Sequence, residues 1–178
     1  MKKLSIIIPA IIFFLVLVKP VSASDQMAVR VHAGYFIPEG TAGNTYNSSW
    51  GFDAQFEYKF TESIAANISG GYIKWGFVQS TPGVTFSFLP IILGGRYYFP
   101  MPGMTPYGEI NVGLYNSSYK ITGGQSTTEQ KLGYGLLAGA IFPFSGFDVD
   151  ANFGFNSISL TQYSFTVLVI HAGLSYSF

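Results

Sequence analysis

Polar and apolar residues alternate with a period of two over most of this chain. "FDAQFEYKF" is the clearest case: Phe52, Ala54, Phe56, Tyr58 and Phe60 alternate with Asp53, Gln55, Glu57 and Lys59. The same period runs through "GFDVDANFGF", where Phe147, Val149, Ala151, Phe153 and Phe155 oppose Asp148, Asp150, Asn152 and Gly154. On a strand this period makes one face oily and the other polar, and a slip of one residue would exchange them. Weaker alternation covers residues 27–36, 63–75, 84–99, 105–116, 130–142 and 165–178, so the pattern predicts eight strands.

The connections alternate in length. "TES", "PMPGM" and "PFSG" join strands two to three, four to five and six to seven as tight turns. The segments after strands one, five and seven, "IPEGTAGNTYNS", "SSYKITGGQSTTEQ" and "SISLTQYS", are longer and polar, and "VQSTPG" after strand three is shorter. Aromatic residues gather at both strand ends. Tyr58, Phe60, Tyr97, Phe99, Tyr107, Phe142, Phe144, Phe147, Tyr176 and Phe178 lie near the turns. Tyr35, Trp50, Phe52, Tyr72, Trp75, Phe86, Tyr115, Tyr134, Phe155 and Phe165 lie toward the loops. Two such sets are expected as girdles at the two interfaces of a membrane.

At the amino-terminal end, Lys2 and Lys3 precede an apolar run from Leu4 to Val18, and "VSA" supplies the small residues of a cleavage site. That run contains Pro9 and is shorter than the ~20 residues of a spanning helix. Residues 1–23 therefore read as a cleaved export signal and 24–178 as one mature domain. Loss of Lys2, Lys3 and Lys19 leaves six basic residues against nine acidic ones, a formal charge of −3, which argues against nucleic acid as a partner. Charged residues are 10% of the chain, against roughly 25% in soluble proteins. No cysteine is present to staple the fold or carry a lipid. After Val18 no apolar stretch approaches a spanning helix, so a membrane protein of this sequence must span with strands.

Counting back from Phe178, the alternate positions Tyr176, Leu174, Ala172, Ile170 and Leu168 are all apolar, while Gly173, Ser175 and Ser177 occupy the other face. This pattern resembles the carboxy-terminal signal of bacterial outer-membrane barrels. "LPIILGGRYYF" followed by "PYGEINVGLY" is the most family-like internal stretch. The mature chain is similar to the small eight-stranded outer-membrane β-barrels that include the OmpA membrane domain, OmpX and OmpW. The resemblance implies an all-β, antiparallel, up-and-down transmembrane barrel in the bacterial outer membrane. It also implies surrounding outer-membrane lipid and a barrel-assembly machinery that reads Leu174, Tyr176 and Phe178. A monomer is expected.

Eight strands leave a bore just wide enough for side chains. Gly71, Gly94, Gly113, Gly133, Gly135, Gly139, Gly154 and Gly173 in the inward phase agree with a narrow one. Arg30, Glu57, Lys59, Arg96, Glu109, Asp148 and Asp150 share that phase in the turn-side half, with Arg96 nearly opposite Glu109 across a hairpin. Charges in so narrow a space must pair, so these seven are expected to form an ionic plug. His32 and His171 fall on strands that meet where the barrel closes, and satisfied lumen histidines are expected. Two histidines with neither cysteine nor a local carboxylate triad make no metal centre, and no cofactor motif is present. Ser175 shares a face with His171 but stands roughly 13 Å away along a strand, too far for a nucleophile and base. The Ser-, Thr-, Gly- and Asn-rich loops, with Tyr46, Tyr119 and Tyr163, suit contact with a surface ligand. The leading expectation is a non-enzymatic barrel with a structural or surface-interaction role. A narrow solute channel is the second reading, followed by a lipid A-modifying enzyme and a soluble lipocalin-type barrel.

Overall fold

A computed structural model describes residues 26–79, 82–124, 126–160 and 164–178, and the predicted export signal lies outside them. The strands are β1 (Met27–Glu39), β2 (Tyr46–Asn47), β3 (Ser49–Lys59), β4 (Ile64–Phe77), β5 (Val84–Tyr98), β6 (Thr105–Ile121), β7 (Ser126–Phe144), β8 (Phe147–Ser159) and β9 (Ser164–Ser177). All pairings are antiparallel. Each strand from β3 to β9 pairs with the next, and β1 pairs with both β3 and β9. Eight strands therefore close a barrel without an edge, which removes the unpaired backbone groups that lipid cannot satisfy. β2 stands outside the ring and pairs with β4 alone, at Tyr46–Phe77 and Asn47–Gly76.

Closure is made at the turn end by the start of β1 and the carboxy-terminal residue. Met27 donates from its amide to the Phe178 carbonyl at 3.1 Å, and Phe178 donates back to the Met27 carbonyl at 2.8 Å. Tyr176 and Phe178 lie exposed on the outside, with their rings 6.1 Å apart. The tight turns form at the expected places. Thr61 Oγ1 accepts from the amides of Ser63 and Ile64, and Gly103 and Gly146 take positive φ, which a residue with a Cβ rarely adopts.

The strands run further at the loop end than alternation indicates. β6 continues to Ile121 and β7 begins at Ser126, so most of the expected loop 117–130 is a paired hairpin turning at Thr122–Gly124. Its outer face explains why the pattern fades. Ile110, Val112 and Leu114 are exposed and apolar, whereas Asn116, Ser118 and Lys120 continue the same face as polar residues. Beyond the apolar band the outer face is polar and the other face is mixed, Ser117 being followed by Tyr119 and Ile121, so pairing continues by backbone hydrogen bonds without the contrast that marks a half-buried strand. At 17 residues β6 exceeds the ~9–11 needed to cross a bilayer, and the surplus stands outside.

Leu93 is in the middle of the exposed apolar row of β5 that runs from Leu89 to Phe99 and pairs laterally with Ile68 and Val112. Leu93→Arg is therefore expected to lower folding stability in lipid by about 2–4 kcal/mol, and Ser118→Arg, above the band, by less than about 0.5 kcal/mol. Urea unfolding in bilayers measures both, and equal costs would place the apolar band elsewhere. Deleting Phe178 removes both closing hydrogen bonds, whereas Phe178→Ala keeps them. The deletion is expected to reduce the heat-modifiable folded band more than the substitution does.

Candidate functional site in the barrel lumen

Inward-facing residues stack in layers from the turn end to the loop end. At the turn-side mouth, a pocket of about 380 Å³ is lined by Lys59, Glu62, Tyr98 and Asp148, with Arg30 as part of its wall. Above it lies a buried ionic layer centred on Arg96. Its guanidinium donates from Nε and Nη2 to Glu109 Oε2 at 2.9 and 2.7 Å, and from Nη2 to Gln55 Oε1 at 3.1 Å. Nη1 lies 3.3 Å from Glu57 Oε2, and the flat face of the group covers the Tyr107 ring at 3.9 Å. Arg30 completes the layer. It donates from Nη2 to Glu57 Oε1 at 2.9 Å and to Tyr98 Oη at 3.0 Å, while its Nε faces Asp150 Oδ2 at 3.3 Å.

Neutral partners add hydrogen bonds to these carboxylates. Tyr98 Oη donates to Glu57 at 2.6 Å, Tyr107 Oη donates to Asp150 at 2.7 Å, and Asn67 Nδ2 donates to Glu109 at 3.0 Å. This is the arrangement in which buried charge is tolerated: each ion has both a counter-ion and hydrogen bonds. Glycine makes the space. A Cβ on Gly94 would stand 2.6 Å from Asn67 Oδ1 and 2.9 Å from Glu109 Oε1, so a side chain there would displace the layer.

The next layer holds the histidines. His32 Nδ1 lies 3.0 Å from Asp53 Oδ1 and Nε2 lies 3.5 Å from Asp150 Oδ2, while His171 Nδ1 lies 3.1 Å from Asn152 Oδ1. The two rings are stacked, 5.7 Å between centroids. Above them is an aromatic layer of Phe36, Trp75, Phe86, Phe88, Tyr115 and Phe165, packed with Ile73, Ile158, Val167 and Val169. Trp75 meets Phe165 edge-on at 5.1 Å, and Phe88 meets Phe86 at 5.0 Å. Tyr46 of β2 folds over this layer and stacks on Phe86 at 4.9 Å. The segment leading to β2 is anchored beneath by Ala42, which is fully buried.

A family model of the outer membrane protein beta-barrel domain matches residues 9–178. The chain belongs to this family. Solved barrels share its fold. Neisserial surface protein A is 17% identical and aligns over 88% of this chain and 100% of its own, with a TM-score of 0.72. OprG from Pseudomonas aeruginosa is 16% identical over 90% and 99%, with a TM-score of 0.60. Ail of Yersinia pestis is 17% identical over 86% and 99%, with a TM-score of 0.56. No curated protein sequence matches the chain. The protein is thus an integral β-barrel of the bacterial outer membrane, with its short turns at the periplasmic end.

Within this outer-membrane barrel, five of the seven predicted ionic residues, Arg30, Glu57, Arg96, Glu109 and Asp150, meet in one layer. Lys59 and Asp148 stand on its turn side. Both line the periplasmic mouth, where the Lys59 ammonium lies 5.4 Å from the Tyr98 ring centroid. Leu174, Tyr176 and Phe178 face outward beside the seam. Of the predicted girdles, Tyr107, Trp75, Phe86, Tyr115 and Phe165 are corrections, because all five are buried inside the bore. Tyr46, expected as a loop contact, is likewise packed inward, Tyr119 remains exposed, and Tyr163 lies outside the described residues. Asp53, Gln55 and Asn152, on the polar face of the sequence pattern, join the lumen network, as do Asn67, Tyr98 and Asn111, which the pattern did not single out. Each has the parity of an inward residue on its own strand, so extending the phase of Arg96 or Glu57 along the strand finds it. Among the described residues no three histidine, aspartate or glutamate side chains form a metal-ligand group.

Arg96→Ala leaves Glu109 buried without a counter-ion and is expected to cost about 3–5 kcal/mol of stability. Arg96→Ala combined with Glu109→Ala is expected to recover part of that loss. Equilibrium urea unfolding in detergent micelles measures both, and an additive double variant would show that the two side chains do not interact.

Proposed function

We propose that this protein is a closed, non-enzymatic barrel with a structural or surface-interaction role, its bore sealed against solutes. The observation that carries the reading is the series arrangement of two different seals. A permeating ion would have to displace the Arg96 layer and then enter an aromatic layer in which Phe88 and Phe165 are fully buried. An ion meets mostly ring faces there, with the Trp75 Nε1 and Tyr115 Oη groups as the polar atoms within the layer. The β6–β7 hairpin supports the surface role, since it carries Tyr119, Lys120 and a polar outer face beyond the apolar band.

The remaining features fit this role. Residues 1–23 act as the cleaved export signal, the barrel-assembly machinery reads Leu174, Tyr176 and Phe178, and the barrel is a monomer surrounded by outer-membrane lipid. A narrow solute path is the second reading, favoured by the periplasmic mouth, whose volume of about 380 Å³ would admit a small solute. The two readings differ in conductance. In planar bilayers the native protein is expected to show little or no steady current. Arg96→Ala with Glu109→Ala should change this little, because the aromatic layer remains in series. Adding Trp75→Ala and Phe88→Ala should open a measurable current. Large, steady conductance in the native protein would establish the channel reading instead.

A further inference from the structure

The β6–β7 hairpin rises beyond the apolar band, and the two sides of β7 are used differently there. On one side β7 pairs with β6 as far as Ser126, opposite Lys120. On the other side, pairing with β8 begins only at Gly133, opposite Ile158. β8 turns back just above, where Ser159 pairs with Ser164 of β9. Among the described residues, Ser126–Leu132 therefore have a neighbouring strand on one edge alone. Seven residues of strand make about 23 Å of free edge. Elsewhere in the barrel such runs are no longer than that of Ile37–Glu39, which pair with β9 but not with β3.

Leu132 and Tyr134 are exposed apolar residues at the top of the outer row of β7, so the edge below Ser126 and above Leu132 stands on the extracellular side. An unpaired edge presents a row of N–H and C=O groups that attracts another strand, and proteins blunt it with proline or with projecting lysine. The run "STTEQKL" has no proline. Its one lysine is turned aside, since Lys131 Nζ lies 2.8 Å from Glu129 Oε2 and the side chain is only 17% exposed.

The pairing with β6 shows which side chains β7 accepts. Ser117 Oγ donates to the Glu129 carbonyl at 3.0 Å, and Gln130 Nε2 donates to Asn116 Oδ1 at 3.3 Å. The Glu129 side chain is itself 57% exposed, which favours a basic residue across the edge. A second copy fits poorly. Barrels in one membrane stand the same way up, so their β7 strands meet only in parallel, with Glu129 beside Glu129 at equal height.

We propose that the free edge of β7 docks an extended segment of another protein at the cell surface, rich in serine, threonine and asparagine and carrying a basic residue, which adds as a strand beside Ser126–Leu132. The inference rests on the surface-interaction role proposed above and gives that role a site. Main-chain hydrogen bonds supply the affinity in this mode, and alternate side chains select the partner.

The test is amide hydrogen exchange of the refolded barrel in lipid nanodiscs. The probe is a capped synthetic peptide with the sequence of Tyr115–Lys120, Tyr-Asn-Ser-Ser-Tyr-Lys, at millimolar concentration. Without peptide, the edge-facing amides of residues 126–132 should exchange rapidly; with it, alternate amides should slow by about tenfold or more. The same peptide N-methylated at alternate residues should have no effect. Neighbouring residues of a strand point their N–H groups to opposite sides, so one of Thr128→Pro and Glu129→Pro removes an edge donor and keeps the bonds to β6. That variant should keep the heat-modifiable folded band and lose the protection. Amides that are slow before peptide is added overturn the proposal, because the edge is then already covered by this chain or by a second copy. A peptide that protects nothing, or protects equally when N-methylated, also overturns it. The native barrel alone decides if a proline variant fails to fold. None of these outcomes alters conductance, so the sealed-barrel reading stands or fails separately.

Discussion

Desolvation inside a closed eight-stranded ring is the constraint on which the rest of this structure depends. Once β1 pairs with both β3 and β9, the bore is too narrow for bulk water. Every inward charge must then find its partner among neighbouring strands. Arg96 supplies most of the solution, because a planar guanidinium donates to Glu109 and Gln55, faces Glu57 and covers Tyr107 at the same time. A lysine at that position would bring one point charge and no flat face.

Two kinds of filling follow from that constraint. The periplasmic half is polar and ion-paired, and the extracellular half is aromatic. They meet at the histidine layer, where Phe36 approaches the His171 ring edge-on at 5.3 Å. Charges cluster on one side because each needs partners within hydrogen-bond reach, and rings cluster on the other because most of their area is apolar and is buried by ring-on-ring packing. A cavity of about 60 Å³ lies at this junction, where neither kind of filling is complete.

The outside obeys a simpler rule. Leu89, Ile91 and Leu93 on β5 or Ile110, Val112 and Leu114 on β6 meet lipid chains with no counterpart to fit, so apolar character suffices and shape matters little. The band ends where Asn116 and Ser118 take over the same face. The strands do not end there, since β6 and β7 remain paired as far as Lys120 and Ser126. The membrane therefore sets the height of the apolar band, while backbone pairing sets the height of the barrel.

Periodicity was enough to determine eight strands and the inward face of Arg30, Glu57, Arg96, Glu109 and Asp150, while the short connections marked the three tight turns. The strands and their faces are consequences of a two-residue repeat within one strand, and the Arg96–Glu109 register follows from one short hairpin. Identity of residue type misled where phase should have been carried through. Trp75, Phe86, Tyr115 and Phe165 share the parity of the inward polar residues, yet an aromatic near a strand end reads as an interface residue when taken alone. Tertiary structure alone decided which inward residues stand at the same height. Gln55 of β3 meets Arg96 of β5, and His32 of β1 meets Asp150 of β8, across the bore or across intervening strands. Such heights depend on how far each strand is staggered when the ring closes, a property of all eight registers together that no single segment of sequence contains.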